Sequence, residues 1–463
     1  MDISFHGANR GVTGSCHLVR CGDTKILIDC GLYQGGRELK EENFEPFGFE
    51  PSEIDYLLLT HGHLDHCGRI PLLVKYGFRG EIITTSATRE LARLVMLDSA
   101  HLHEEDARWQ TRKLERREHE GEVVEPLYTS LDALNSLDFF NRTVAYDEPL
   151  KLGEGIRARF MDAGHILGSA CILLELKEAG KWKKILFSGD LGYSGRVILG
   201  DPAPPPEVDV VVMETTYGDR CHKRLEPSIS ELYEAITDTF KRGGNVVIPS
   251  FALERTQEIL YYLREGVEEG LLPSSMQVFL DSPMAISATE IFRRHPECYD
   301  DEACKLFSHN RDPFNFHGLH FTQDTSDSIA LNRFKSGVVI IAGSGMCTGG
   351  RIRHHLKHNL WRDNCSVVFV GFASRGTLAR RLVDGAKVVR IFGDEISVRA
   401  RIYTIGGFSA HADRDELLAW HAQLGNPKRT FLVHGEEKVM EAFSERLEDT
   451  EVIMPKVNQQ FKL

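Results

Sequence analysis

The chain has 463 residues, 42% of them hydrophobic, and a formal net charge of −13. That length exceeds one ordinary core and implies two domains or one large split domain. No run reaches the about 20 apolar residues of a membrane span, and the start, MDISFHGANR, lacks the basic and apolar regions of a signal peptide.

In chain order, short apolar strands come first: KILIDCG (25–31), YLLLTH (56–61) and GEIITTS (80–86), followed by a helix over 87–100. Residues 101–126 are dense in charge and read as an exposed helical excursion. Strands return at 156–165, 171–176, 184–190 and 208–216, with the Pro-rich connector LGDPAPPPEVD at 199–209. The rhythm then changes to helix 229–244, strand 245–251, helix 254–266, a strand opening 277–285, strand 337–346, helix 349–360 and strand 365–372. Strands alternating with amphipathic helices predict a parallel α/β sheet. No fixed-period repeat or low-complexity tract interrupts the pattern. The ten cysteines are scattered, with no CxxC pair, which predicts reduced thiols in a cytoplasmic setting.

The stretch THGHLDH (60–66) places His61, His63, Asp65 and His66 in the loop after an apolar strand. Asp29, His165, Asp190 and His434 also stand at or just past strand ends. Strand ends of one sheet converge on one edge, so these imidazoles and carboxylates predict a metal site, for zinc with manganese as an alternative. The set exceeds what one tetrahedral ion takes. Two ions about 3.5–4 Å apart would use it, clamp a phosphodiester and generate hydroxide near neutral pH. His101 and His103 share the i,i+2 spacing but lie in a helical stretch, where such positions diverge, so both read as solvated. His354 and His358 are i,i+4 on a basic helix and read as phosphate-facing or solvated.

Charge is unevenly spread. Residues 333–401 hold thirteen Lys/Arg against four acids, a local excess of +9. A basic field within an acidic chain directs a polyanion to one face. The loop GSGMCTGGR (343–351) lies inside it and reads as a backbone nest for an anion, without the GK[ST] of a Walker loop.

Asp29 in LIDCG, the THGHLDH motif, His165 in AGHILGSA and Asp190 in FSGDLG together resemble the metallo-β-lactamase superfamily. Glu214 in VDVVVMETTYGDR, His411 in GGFSAHAD and His434 in FLVHGEE look like the motifs of its β-CASP nucleases. PSFALERTQE, LDSPMA and AGSGMCTGGRIRHHL extend the likeness over nearly the whole chain. It runs closest to bacterial and archaeal relatives of the endonuclease subunit of the pre-mRNA cleavage and polyadenylation factor. The resemblance implies a metallo-β-lactamase αββα sandwich with an inserted β-CASP α/β domain, split as 1–211, 212–395 and 396–463. It implies that His61, His63 and His165 hold one zinc, that Asp65, His66 and His434 hold a second, and that Asp190 bridges them. Asp29 orients the ligands from behind. Asp65, Glu214 and His411 are the implied catalytic residues, with Glu214 orienting His411. Ser250, Arg255, Ser344, Gly345, Arg351 and Arg375 are the candidate phosphate or RNA contacts.

The function expected is a zinc-dependent endonuclease of single-stranded RNA, with a homodimer implied by resemblance. A 5′→3′ exonuclease of the ribonuclease J type is the alternative. A DNA nuclease, a non-catalytic RNA-binding subunit and a small-molecule hydrolase are weaker readings, since all the motif ligands and a basic domain are present. GANRGVTGS lies within the first fifteen residues, which suggests no KH-type module ahead of the metal domain and a stand-alone enzyme.

Overall fold

Strands near both ends of the chain carry apolar residues two apart, as in Ile3/Phe5, Ile26/Ile28, Ile172/Leu174/Leu176 and Ile185/Phe187. Period two puts each set on one sheet face, and in the computed structural model these faces meet in a single core with Val212 and Phe431. The structure describes residues 1–115, 123–309, 311–371, 373–374 and 376–463. One seven-stranded sheet runs in the order Gln459–Lys462, Asp2–Gly7, Cys16–Cys21, Thr24–Ile28, Tyr56–Leu58, Glu81–Thr85, Arg142–Val144. The other runs Glu451–Ile453, Arg429–Val433, Val210–Glu214, Lys181–Phe187, Ala170–Glu178, Ile156–Asp162, Leu150–Gly153. The opposite face of this second sheet, through Leu173, Leu186, Val211 and Met213, packs on helical Leu417, Trp420, Met440 and Phe443. The result is an αββα sandwich.

Both sheets are mixed. Thr24–Ile28, Tyr56–Leu58, Glu81–Thr85 and Arg142–Val144 run parallel, whereas Asp2–Gly7 pairs antiparallel with both Cys16–Cys21 and the C-terminal Gln459–Lys462.

The chain forms two compact units. The first is Met1–Ser194, Asp201–Cys221 and His411–Leu463; the second is Gly195–Gly200 and His222–Ala410. The strand Val210–Glu214 pairs in parallel with Arg429–Val433, which keeps it in the first unit past 211. The strand Arg401–Ile405 pairs with Ser366–Val370, which keeps the second unit going past 395. The second unit is an α/β layer with a six-stranded parallel sheet ordered Leu319–Phe321, Gln277–Leu280, Val338–Ala342, Val246–Pro249, Ser366–Val370, Arg401–Ile405.

The helix expected over 87–100 is one continuous helix, Ser86–Glu115; positions 116–122 of the expected excursion lie outside the described residues. His101 is exposed on it beside Glu105. His103, expected to be solvated, is half-buried: its ring meets Tyr128 edge-on at 5.0 Å and its Nε2 lies 3.2 Å from Ser99 Oγ. All ten cysteines are free thiols. Among the described residues no helix is long and apolar enough to cross a membrane.

Candidate metal centre

The centre is built at strand ends of the first unit. Asp29 follows Thr24–Ile28; His61 and His63 lie in the loop after Tyr56–Leu58, whereas Asp65 and His66, expected in that loop, lie in the short helix Leu64–Cys67; His165 follows Ile156–Asp162 and Asp190 follows Lys181–Phe187. Glu214 closes its own strand and His434 follows Arg429–Val433. Backbone bonds fix the 60–66 segment: Ser15 N donates to Asp65 O and Cys30 N to His66 O, both at 2.8 Å. Gly31 sits so close that a Cβ there would lie 1.6 Å from Asp65 O, so only glycine fits. Asp29 and His434 both take positive φ, 59° and 49°, a local strain of about 1 kcal/mol or more that the surrounding bonds must hold.

Ligand atoms of His61, His63, His165 and Asp190 lie within 4.8 Å of one another, and so do those of Asp65, His66 and His434. His63 Nδ1 is 3.1 Å from His61 Nε2 and 3.2 Å from His165 Nε2. His434 Nε2 is 3.3 Å from His66 Nε2 and 3.4 Å from Asp65 Oδ2. Asp190 spans the two groups. Its Oδ2 lies 3.5 Å and 3.6 Å from Nε2 of His61 and His165, and its Oδ1 lies 3.3 Å from His66 Nε2. Asp190 Oδ1 is buried with no hydrogen-bond partner among the described residues. A buried carboxylate oxygen in that state, ringed by imidazole nitrogens, fits a cation rather than a protein donor.

Hydrogen bonds behind the ring choose the edge each histidine presents. Asp29 Oδ1 accepts from Thr60 N, and its Oδ2 accepts from Thr60 Oγ1 and His66 Nδ1, all at 2.8 Å. The Thr60 hydroxyl has spent its hydrogen on Asp29, so at 3.0 Å it accepts from His61 Nδ1. Thr216 repeats the device: its Oγ1 donates to His434 O at 3.2 Å and lies 3.1 Å from His434 Nδ1. In His61, His66 and His434 this turns Nε2 toward the cluster. Thr60 and Thr216 are candidate site residues that sequence reasoning missed; the sequence signal is a hydroxyl beside a motif histidine or acid.

Charge divides the cluster. Burial holds His61 well below its ordinary value and pushes His63 down to about 4. Burial also opposes charge on His66, but the Asp190 and Asp29 carboxylates win and hold it well above its ordinary value. Against burial, His434, His66 and His61 hold the Asp190 carboxyl well below the usual carboxylate range. The Asp190 carboxyl therefore stays ionised at neutral pH.

Beside this cluster stands a His–Glu pair. His411 Nδ1 lies 3.3 Å from Glu214 Oε1 and 3.9 Å from Asp190 Oδ2. Glu214 is fully buried and also accepts from Leu191 N at 2.6 Å and Thr216 N at 3.2 Å. Burial resists charge on His411, yet Glu214 and then Asp190 raise its pKa above the ordinary value. The His411 side chain keeps 21% exposure with its Nδ1 edge on Glu214.

Three family descriptions match the chain: the metallo-β-lactamase superfamily over residues 9–250, a Beta-Casp domain over 256–382 and a Zn-dependent metallo-hydrolase RNA specificity domain over 395–455. The chain belongs to the β-CASP branch of the metallo-β-lactamase superfamily. A ribonuclease of Thermus thermophilus is 39% identical over 96% of both chains. Transcription termination factor FttA of Methanocaldococcus jannaschii is 32% identical over 94% of this chain and 67% of its own. An RNase J-like protein of the same archaeon is 29% identical over 94% of this chain and 92% of its own. The fold also matches a crystal structure of a protein of unknown function from Enterococcus faecalis, with TM-score 0.55, 14% identity and 100% and 99% coverage. This β-CASP protein is thus a metal-dependent hydrolase of the ribonuclease family, and the His/Asp cluster can hold its metal.

The phosphate contacts expected in the second unit fare differently. Ser250 is buried, and its hydroxyl is shared between Phe251 O and Thr256 Oγ1. Arg255 is buried, with Nε 3.8 Å from Glu258 Oε2 and the guanidinium 5.9 Å from the Phe408 ring centroid. Arg351 turns inward: Nη1 donates to Asp281 Oδ1 at 2.7 Å and Thr322 O at 3.0 Å, and Nη2 to Gln323 O at 2.6 Å. The Ser250 hydroxyl and the Arg351 guanidinium thus bond within the unit. Ser344 and Gly345 are half-buried on the glycine loop. Arg375 lies outside the described residues. His354 and His358 are exposed on their helix.

Proposed function

We propose that the protein is a zinc-dependent endoribonuclease that hydrolyses internal phosphodiester bonds of single-stranded RNA. The observation that carries this reading is Asp190, whose two oxygens face two ligand groups with His411 alongside. His61, His63, His165 and Asp190 would hold one zinc; Asp65, His66, His434 and Asp190 would hold the other. Two such ions, once bound, would supply Lewis acidity at the phosphate and activate water at neutral pH.

The chain's own residues do the rest. Asp29, Thr60 and Thr216 lock the imidazole edges. Glu214 holds His411 by Nδ1, which leaves Nε2 to carry the mobile proton. When the P–O bond breaks, that proton passes to the leaving oxygen, a contribution of about 10²–10⁴-fold. RNA is the substrate of this reading because the RNA specificity domain matches and a 39% identical relative is named a ribonuclease. The RNase J-like relative favours a second reading, 5′→3′ exonucleolytic trimming. Circular single-stranded RNA separates the two, since it has no end. The endonuclease opens the circle; an intact circle beside degraded linear RNA would mean the exonuclease.

A further inference from the structure

The parallel sheet of the second unit changes winding direction at its middle. Val246–Pro249 leads through helix Arg255–Glu268 to Gln277–Leu280, on the far side of Val338–Ala342. Val338–Ala342 leads through helix Ile352–Asn359 to Ser366–Val370, on the far side of Val246–Pro249. Two neighbouring parallel strands thus send the chain opposite ways across the sheet. Right-handed crossovers put the two helices on opposite faces. A crevice outside the carboxyl ends of such a strand pair is where α/β sheets take ligands.

Two loops line this crevice. Pro249 pairs with Ala342, and Ser250 N donates to Ala342 O at 3.0 Å, so Phe251 and Ser344–Gly345 leave the sheet side by side. Phe251 is 49% exposed. Its backbone is pinned all the same, because its carbonyl accepts from Thr256 Oγ1 at 2.6 Å and Ser250 Oγ at 3.2 Å. The ring lies over Gly345, where a Cβ would come within 3.0 Å of it. The glycine loop is wound on itself: Ser344 Oγ accepts from Thr348 N at 3.2 Å and Gly349 N at 3.4 Å. A half-exposed phenyl ring on a pinned backbone, backed by a glycine, is suited to stacking. The glycine loop beside it belongs to residues 333–401, which carry an excess of +9 in a chain of −13, and such a stretch favours a polyanionic partner.

We propose that Phe251 stacks on a base of the single-stranded substrate and so positions the strand in this crevice. The inference rests on the ribonuclease reading and adds to it a base contact that the metal centre does not supply. Stacking on an aromatic ring is tolerant of sequence, because every base has a π-face.

The test measures kcat and KM on a defined single-stranded RNA for wild type, Phe251→Ala, Phe251→Leu and Phe251→Trp. Phe251→Ala should raise KM by about tenfold or more with a smaller change in kcat; Phe251→Trp should restore KM, and Phe251→Leu should not. A second arm uses the same RNA with one abasic site moved along it. At one position the missing base should raise KM for wild type but not further for Phe251→Ala. Equal KM for wild type and Phe251→Ala, rescue by Leu as good as by Trp, or abasic penalties equal in both proteins would overturn the inference while leaving the ribonuclease intact. A wild type that cuts no RNA would overturn the ribonuclease reading itself.

Discussion

A threonine hydroxyl has one hydrogen to give, and at Thr60 and Thr216 that hydrogen decides which edge of a histidine meets the cluster. Thr60→Val keeps the shape and removes the hydroxyl. Metal affinity, read by competition with a chelator, should fall by about 10–100-fold, and Thr60→Ser should keep it. Unchanged affinity in Thr60→Val would show that the imidazole edges need no such support. The ligand candidates themselves were legible in the sequence because strand ends converge, so a dense histidine motif after one strand points to partners after others. The threonines were not legible: a hydroxyl's role depends on where its hydrogen goes. Arg351 misled for a related reason. An arginine on a glycine-rich loop reads the same outward or inward, and its acceptor, Asp281, lies far away in sequence.

At the scale of elements, Asp281 ties one strand end of the second unit to the helix Ile352–Asn359. Its Oδ2 accepts from His355 Nε2 and Ser328 Oγ, both at 2.6 Å, and its Oδ1 accepts from Arg351. Burial pushes its carboxyl up, but these donors together hold it below its ordinary value. A carboxyl whose folded value is depressed adds stability above its unfolded value, about 3.9, and loses it as pH falls through the folded value. Asp281→Asn breaks a buried charge network, so denaturant unfolding at pH 7 should show a loss of about 3–5 kcal/mol. The gap should narrow as pH drops below about 4; a gap that ignores pH would contradict the ionised network. The four central strands of this unit's sheet and three of its helices were legible, because parallel strands buried on both faces read as short apolar runs between amphipathic helices; the edge strands Leu319–Phe321 and Arg401–Ile405 were not. The mixed pairing of the first unit was not. Gln459–Lys462 is short and polar, and only its pairing with Asp2–Gly7 makes it a strand.

For the whole molecule, two facts carry the functional account: a dense cluster of buried imidazoles and carboxylates in the first unit, and a basic stretch inside an otherwise acidic chain. A cluster able to hold metal suits phosphodiester hydrolysis, and the basic stretch suits a polyanionic substrate. The central claim is that ions at this cluster and a proton from His411 together cut RNA. The most direct measurement incubates 5′-labelled single-stranded RNA with wild type and with His411→Ala, and determines zinc in the same samples. The account predicts two zinc ions per chain in both proteins, internal fragments from wild type, and cleavage at least about 100-fold slower in the variant. Two bound zinc ions with no cleavage by wild type, or equal cleavage by both proteins, would contradict it.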